Sequence, residues 1–166
     1  MSKKPVDTAI ILAAGLSQRF GAENKLLAEW KGRPLAAHAI EAAANSNLRH
    51  IILVTGQDGD AIAAFAAAAP KVKRAHNADF QDGMSSSLQV GLANAPEGPV
   101  MVLLADMPMV SSAVIDALLG AWRTDAYALI PEYNGQTGNP VILSAAARAD
   151  AATLTGDRGA RRLFDG

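Results

Sequence analysis

The sequence predicts an α/β fold in which a mostly parallel sheet is covered by helices. Short apolar runs alternate with alanine-rich stretches of helical length, and the first two runs end at Gly15 and Gly56. Because parallel strands need a long crossover, usually a helix, this alternation is typical of a parallel sheet. Five consecutive apolar residues after Pro99 indicate a central strand that is buried on both faces. Right-handed crossovers then place the strand-to-helix loops at one edge of the sheet.

The individual elements follow from local signals. Pro34 suits the first position of a helix, Pro70 ends the next one, and Ser111 or Ser112 can cap a later one. Residues 26–30 are predicted to be a short extended piece that leads into a turn over residues 31–34. The predicted strands cover residues 9–14, 50–55, 72–75, 99–106, 127–131 and 139–143. The predicted helices cover residues 34–45, 61–69, 83–95, 111–122 and 144–152.

Composition narrows the class of protein. Half of the residues are hydrophobic but only 5% are aromatic, so the core is built from Ala, Leu, Ile and Val. A net charge of −1 provides no general basic field for nucleic acid, and the lack of cysteine excludes disulfides and thiolate chemistry. Neither a signal peptide nor an apolar run of membrane-spanning length is present. We therefore expect one domain over residues 1–166, a cytoplasmic location, and no nucleic-acid or membrane partner.

The loop after the first predicted strand has the residues of a phosphate-binding site. Gly15 and Gly21 allow backbone N–H groups to approach an anion, and Arg19 and Lys25 add positive charge. The spacing is neither that of a Walker A loop nor that of a dinucleotide fingerprint. The alternative is an ordinary glycine-rich turn with two solvated basic side chains. The pattern predicts a polyphosphate site at the carboxyl end of the first strand.

The string L-A-A-G-x-S-x-R-x-G-x-x-x-K, which runs from Leu12 to Lys25, resembles the opening signature of the MobA-like nucleotidyltransferases. It is most similar to the molybdenum-cofactor cytidylyltransferase branch. The resemblance extends over nearly the whole chain and implies a three-layer αβα sandwich, a Rossmann-like nucleotidyltransferase fold of the GT-A-like type. It also implies that this loop binds the triphosphate of a nucleotide. The contacts implied are at Leu12, Ala13, Ala14, Gly15, Ser17, Arg19 and Lys25.

A second segment, G-M-S-S-S-L at residues 83–88, opens a predicted helix. Three serines at a helix start provide hydroxyl and N–H groups, which favour capping and also suit an anion or a base. In the family that the sequence resembles, this segment lies beside the nucleotide base and ribose. The resemblance therefore implies ligand contacts at Asn77, Gly83 and Ser86.

Asp106 directly follows the predicted central strand. A carboxylate there is unfavourable unless it is paired or functional, and the following helix already has serines to cap it. The resemblance implies that Asp106 binds Mg²⁺ against the nucleotide phosphates, and a single carboxylate completed by phosphate oxygens suits that ion. Family members generally carry a second metal-binding Asp on a later strand, beyond the position of Gly166. A shorter chain, a substitute acidic group and weaker metal binding all stay open as interpretations.

Two segments near the end of the sequence resemble the acceptor side of the family. Asn139 stands in a G-N-P stretch, as a turn residue or as a substrate contact. Residues 155–163 form a basic cluster around G-D-x-G-A-R, which either keeps the surface soluble or contacts the phosphate of the acceptor. The resemblance implies the second role for Arg158 or Arg161.

Together these features imply nucleotidyl transfer, with Arg19, Lys25 and Asp106 as the candidate catalytic residues and Mg²⁺ as cofactor. An acceptor phosphate is already ionised, so the reaction needs no strong general base, and no convincing His or Cys nucleophile is present. The L-A-A-G string indicates CTP rather than GTP, and the implied acceptor is a molybdopterin-type cofactor, with a molybdoenzyme or its chaperone as a further partner. The alternatives are a GTP-using guanylyltransferase, a sugar- or alcohol-phosphate nucleotidyltransferase, and a non-catalytic nucleotide-binding module.

Overall fold

A computed structural model describes residues 4–15 and 23–164 of the chain. Its strands are β1 (Thr8–Ala13), β2 (Glu29–Trp30), β3 (Arg33–Pro34), β4 (His50–Thr55), β5 (Val72–His76), β6 (Val100–Leu104), β7 (Ala128–Leu129), β8 (Glu132–Tyr133), β9 (Gln136–Thr137) and β10 (Val141–Leu143). Its α-helices are α1 (Leu35–Ala44), α2 (Gly59–Ala63), α3 (Met84–Asn94), α4 (Ser112–Ala121) and α5 (Ala145–Ala151). Short 3₁₀ turns cover Lys25–Leu27, Ala64–Ala66, Phe80–Asp82 and Ala160–Phe164.

The central sheet has the strand order β5-β4-β1-β6-β10-β7. Strands β5, β4, β1 and β6 are parallel, whereas β10 runs antiparallel to both β6 and β7. The chain moves outward from β1 to β4 and β5, and then returns to place β6 on the other side of β1. The order therefore reverses between β1 and β6, which is where open α/β sheets form a ligand crevice.

Helices cover both faces of the sheet. Alternate residues of β1 point to opposite faces, so Ala9 and Ile11 pack in one apolar cluster and Ile10 and Leu12 in the other. The first cluster contains the buried side chains of α1, α2 and α4, and the second contains those of α3 and α5. The predicted three-layer arrangement with a mostly parallel sheet is confirmed.

The helical predictions differ from the structure mainly at the second helix. The predicted helix over residues 61–69 is a short α2 followed by the 3₁₀ turn Ala64–Ala66. Only Gly59 and Ile62 are buried in α2, so little apolar contact holds a longer helix against the sheet. Residues 26–30, predicted to be extended, begin instead inside the 3₁₀ turn Lys25–Leu27, because Asn24 caps that turn.

The later strands are also shorter than predicted. Residues 127–131 contribute only Ala128–Leu129, and residues 132–138, between two predicted strands, contain the hairpin formed by β8 and β9. Asn134 and Gly135 both have positive φ at its turn, which is the conformation that an Asn-Gly pair favours in a two-residue hairpin. Within the described residues, none of the helices is both long and apolar enough to cross a membrane.

Candidate functional site

The candidate site lies at the carboxyl edge of the parallel strands. Four strands end there side by side, and Gly15, Gly56, Asn77 and Asp106 follow them in the loops. Because β1 and β6 are adjacent and parallel, the segments that follow them meet at the point where the strand order reverses. This common edge brings together residues that are far apart in sequence.

Lys25 and Asp106 form the central pair of this edge. The Nζ atom of Lys25 donates to Oδ2 of Asp106 at 3.3 Å, across 81 positions of sequence. Their side chains are 47% and 39% exposed. Both charges are therefore accessible from solvent, and an anion or a cation that enters the crevice can reach them. The two candidate catalytic residues within the described part of the chain are thus brought together.

The first loop is only partly described. Leu12 lines a cavity, whereas Ala13 and Ala14 are each only 1% exposed and offer little surface to a ligand. Gly15 is exposed, and a Cβ atom there would meet no described atom within 4 Å. Ser17 and Arg19 lie outside the described residues. Their contacts with a triphosphate stay predictions.

An open cavity of about 270 Å³ adjoins the crevice on the α3 face of the sheet. Its floor is apolar, formed by Leu12, Val102 and Leu104, and its rim contains both polar and apolar residues. The lining residues are Leu12, Met84, Val102, Leu104, Asn139, Asp157, Gly159, Ala160 and Arg162. Asn139 of the G-N-P stretch and the G-D-x-G-A-R segment, separate in sequence, thus meet at one cavity.

Two basic residues of that segment, Arg158 and Arg162, differ in their position relative to this cavity. Arg162 lines the cavity, although the sequence pattern singled out Arg158 and Arg161. Arg158 is exposed and is not part of the cavity lining within the described residues. The side chain of Arg161 lies outside what the structure describes. A phosphate contact by Arg158 or Arg161 stays a prediction.

The side chains of Asn77 and Ser86 bond to one another and to the backbone. The amide nitrogen of Asn77, which is 2% exposed, donates to the hydroxyl oxygens of Ser86 at 2.9 Å and Ser87 at 3.0 Å. The side-chain oxygen Oδ1 of Asn77 accepts from the N–H of Asp79 at 3.0 Å. The Ser86 hydroxyl donates to the carbonyl oxygen of Gly83 at 2.8 Å. These contacts fix the end of β5 to the first turn of α3. The ligand contacts predicted for these two residues stay predictions.

The start of α3 is capped from a distant part of the chain. The carbonyl oxygen of Gly156 accepts from the N–H of Ser85 at 3.1 Å and from its hydroxyl at 2.6 Å. A carboxylate oxygen of Asp157 accepts from the N–H of Met84 at 3.3 Å. Gly83 has φ of +101°, and a Cβ there would lie 2.6 Å from the Gly156 oxygen. The serines therefore do not act as the N-cap that the sequence favoured, since residues 156–157 take that place.

The described residues offer few metal ligands. Among residues 4–15 and 23–164, no group of three or more His, Cys, Asp or Glu side chains is arranged to hold a metal ion. Asp106 is a single half-exposed carboxylate at the crevice. This donor set fits a divalent cation that takes its other ligands from phosphate oxygens and water, as Mg²⁺ does in nucleotide sites.

A second charged group lies at the same edge, on the outer strands. Arg74 donates through Nε to the buried Thr55 hydroxyl at 2.9 Å and through a terminal nitrogen to Asp60 at 2.5 Å. The hydrogen bond from Arg74, and then its charge, lower the pKa of the Asp60 carboxyl below its usual value. These bonds join the ends of β4 and β5 to the start of α2 and serve the framework of the edge.

Sequence reasoning missed four residues that shape this region: Asn24, Gly156, Asp157 and Arg162. Asn24 caps the turn that carries Lys25, and an Asn two positions before the first buried residue of a turn is a recognisable N-cap signal. The contacts of Gly156 and Asp157 join segments more than 70 residues apart, so spacing in the sequence does not reveal them.

The chain is similar to known proteins over nearly its whole length. Residues 9–166 match the MobA-like NTP transferase domain. The chain is 32% identical over 165 residues to the nicotine blue oxidoreductase of Paenarthrobacter nicotinovorans, across 95% of this chain and 80% of that protein. It is 32% identical over 135 residues to the bifunctional protein GlmU of Streptomyces griseus, across 78% of this chain but only 28% of that longer relative.

Solved structures share the fold. Rv0371c from Mycobacterium tuberculosis H37Rv superposes with a TM-score of 0.83 at 23% identity, over 99% of this chain and 84% of that one. A complex of the same protein with manganese gives a TM-score of 0.78 at 22% identity, over 98% and 83% of the two chains. At these identities the structures support the fold alone, whereas the domain match covers nearly the whole sequence. The chain therefore belongs to the MobA-like NTP transferase domain family and is, by family, a nucleotidyltransferase.

Proposed function

We propose that the protein transfers a nucleoside monophosphate from a nucleoside triphosphate to the phosphate of an acceptor and releases pyrophosphate. The observation that carries this proposal is the Lys25–Asp106 pair, which stands 3.3 Å apart at the reversal of the strand order. One side chain suits phosphate oxygens and the other suits the cation that accompanies them. The finer proposal is that the nucleotide is CTP and that the acceptor is a molybdopterin-type cofactor.

The chemistry needs positioning and charge neutralisation more than proton transfer. An oxygen of the ionised acceptor phosphate attacks the α-phosphorus, and the bond from that phosphorus to the bridging oxygen of the leaving pyrophosphate breaks. Lys25 neutralises the negative charge that builds on the β- and γ-phosphates as they leave. Arg19, by the family pattern, contributes to the same task. Holding acceptor and nucleotide in one crevice removes the entropic penalty of bringing them together.

Asp106 is the residue that would hold a divalent cation, and we propose Mg²⁺. When bound, such a cation lowers the charge repulsion among the phosphate oxygens. The carboxylate is half-exposed and lies at the strand end, so it can reach a cation carried in by a nucleotide. The manganese complex of Rv0371c, a protein of the same fold, supports a divalent metal without distinguishing Mg²⁺ from Mn²⁺.

The cavity beside the crevice is the proposed acceptor site. Its apolar floor suits a ring system, while Asn139 and Arg162 at its rim suit polar substituents and a phosphate. The choice of CTP rests on the L-A-A-G resemblance, and Ala14 itself is only 1% exposed, so it offers little surface to a base. The experiment described below therefore also tests GTP as the nucleotide and sugar or alcohol phosphates as acceptors.

A second candidate function is a redox reaction. The observation that favours it is the 32% identity, over 95% of this chain, to a protein named nicotine blue oxidoreductase. In that case the apolar cavity would hold a ring compound that accepts electrons from a reductant supplied in solution. Consumption of NADH or NADPH in the presence of a redox dye tests this candidate directly.

The main experiment follows pyrophosphate release from CTP, GTP, ATP and UTP, each with Mg²⁺, Mn²⁺ or a chelator and with or without a phosphorylated acceptor. We expect metal- and acceptor-dependent release, largest with CTP. A preference for GTP would keep nucleotidyl transfer and reject the cytidylyltransferase branch. Binding without release from any nucleotide, measured by thermal shift, would favour a non-catalytic binding module.

A further inference from the structure

We infer that Asn24 is a positioning residue that fixes the direction of Lys25 and locks it to the loop after β4. This inference rests on the proposed function of Lys25 as a phosphate-binding side chain. Asn24 directly precedes Lys25 and is only 4% exposed, so its amide is held inside the protein beside the crevice. Within the part of the chain that the structure describes, its side-chain amide bonds in two directions.

The first arm sets the local turn. Oδ1 of Asn24 accepts from the N–H of Leu26 at 3.0 Å, and the Asn24 carbonyl accepts from the N–H of Leu27 at 3.0 Å. Leu26 is itself buried in the core. Lys25 therefore stands between two buried neighbours, and its backbone cannot rotate independently of the core.

The second arm joins this turn to a neighbouring loop. Nδ2 of Asn24 donates to the carbonyl oxygen of Gln57 at 3.2 Å, across 33 positions of sequence. That loop is tightly packed, because a Cβ on Gly56 would lie 2.6 Å from Phe80 and 2.9 Å from the carbonyl oxygen of Ala14. The amide thus ties Lys25 to a fixed point between the ends of β1 and β4.

Both arms matter because a lysine side chain is long and flexible. A lysine side chain has four rotatable bonds. Its ammonium group is therefore confined to one position only if the backbone that carries the side chain is fixed. A misplacement of about 1 Å in a catalytic group can lower a rate about 100-fold. Asn24 is suited to this role because one amide supplies both the acceptor for Leu26 and the donor for Gln57.

The variants separate the two arms. Asn24→Ala removes both of them, whereas Asn24→Ser keeps an oxygen that can cap the turn and loses the bond to Gln57. Asn94→Ala is the matched control, since Asn94 is an exposed residue that ends α3 and bonds only locally, to the Val90 carbonyl, among the bonds that the structure describes. Lys25→Ala and the double variant Asn24→Ala/Lys25→Ala complete a double-mutant cycle.

Two quantities are measured, each at a temperature below the Tm of every variant. One is kcat for pyrophosphate release, and the other is the Kd for inorganic triphosphate by calorimetry. We expect Asn24→Ala to lower kcat at least about 10-fold and to weaken triphosphate binding, with a smaller loss for Asn24→Ser. In the Lys25→Ala background, the substitution of Asn24 should change neither readout further, and Asn94→Ala should match the wild type.

Wild-type values in Asn24→Ala, or an equal loss with and without Lys25, would overturn the positioning role and leave Asn24 a structural cap. If Asn24→Ala does not fold, Asn24→Ser in both backgrounds decides the same question. Triphosphate binding that depends on Asn24 and Lys25 together, without pyrophosphate release, would reject the proposed function and retain this inference. A wild type that binds no triphosphate would overturn both.

Discussion

Lys25 and Arg148 are two positively charged side chains at opposite edges of the central sheet. Lys25 stands at the carboxyl edge, half-exposed, with Asp106 3.3 Å away. Arg148, on α5, lies at the amino edge, because β10 runs antiparallel to β6 and delivers the chain to the end of the sheet where α3 also finishes. Both residues carry the same charge, but their surroundings give them different roles.

Arg148 is enclosed by backbone oxygens. Its guanidinium donates to the carbonyls of Pro96, Gly98, Leu92 and Ala95, at 2.5 to 3.2 Å. Two of these carbonyls belong to the last turn of α3 and its C-cap, which have no helical N–H partners. Burial lowers the pKa of Arg148, and the negative charge of the nearby Glu97 opposes that shift. The positive charge of the guanidinium stabilises the negative, carboxyl-terminal end of the α3 dipole.

The two sites differ in whether the hydrogen-bond partners of the cation are fixed by the fold. A cation whose two terminal nitrogens are directed at carbonyls of its own chain contributes to stability, and a ligand that displaced those contacts would leave a helix end without its donors. A cation that faces a half-exposed carboxylate in a crevice can exchange that contact for phosphate oxygens with little structural change. The comparison therefore predicts loss of activity without loss of stability at Lys25, and the reverse at Arg148.

The largest expected effect is that of Lys25→Ala on turnover. Removing one charged group that stabilises a transition state typically lowers kcat about 100- to 1,000-fold. The Tm should stay within about 2 °C of the wild type, because an exposed ion pair contributes less than about 1 kcal/mol. Steady-state pyrophosphate release and a thermal melt check both halves. Lys73→Ala, on the exposed part of β5, is the control, and an unchanged kcat/KM in Lys25→Ala would remove Lys25 from the site.

The next effect is that of Asp106→Ala on metal dependence. Loss of groups that only orient a metal ligand already weakens metal affinity about 10- to 100-fold, so loss of the ligand itself should do at least as much. Titrating Mg²⁺ and Mn²⁺ against pyrophosphate release should show the half-saturating concentration raised by that factor. Asp125→Ala, an exposed carboxylate paired with Arg123, should titrate as the wild type does. Equal titration curves for all three proteins would exclude Asp106 as the metal ligand.

Much of this comparison could be anticipated from the sequence. The apolar runs located β1, β4 and β6, and parallel strands end at one edge, so the segments that carry Lys25 and Asp106 were expected at the same edge of the sheet. The predicted family and the three-layer fold are confirmed. These features depend on periodicity and strand direction, which a single sequence carries.

Contacts that depend on loop conformation could not be predicted from the sequence. The three-residue β10 is too short for its pattern to reveal that it runs antiparallel. The bond from Asn24 to Gln57 and the cap of α3 by residues 156–157 depend on how two loops fold against each other. Arg148, predicted to be part of a helix, gave no sign that four carbonyls would surround it, because those carbonyls belong to the end of α3 and the loop that follows it.

Arg148→Met tests the stability side of the comparison. The variant keeps much of the aliphatic bulk but leaves carbonyls of the α3 terminus without their charged donor, which should lower the free energy of unfolding by about 2–3 kcal/mol. The Tm should fall by about 4–10 °C, with kcat unchanged at a temperature where the variant is folded. Arg123→Met is the control, since Arg123 is 76% exposed and pairs with an exposed carboxylate. A normal Tm for Arg148→Met would mean that water replaces the guanidinium at no penalty.

The smallest effect is expected at the Asp60–Arg74 pair, which shares the edge of Lys25 but not its role. Asp60 is 98% exposed, so Asp60→Asn should lower Tm only slightly at neutral pH and leave pyrophosphate release unchanged. The hydrogen bond from Arg74, followed by its charge, lowers the pKa of Asp60 from its ordinary value of 3.8. The unfolded chain therefore takes up the proton first, so the contribution of Asp60 is present above that value and is lost as the pH falls through the lower, folded pKa. Thermal melts of wild type and Asp60→Asn should converge in acid. A difference that widened there would mean that Asp60 is protonated more readily in the folded chain, and a loss of turnover in Asp60→Asn would extend the functional edge from β1 and β6 to β5.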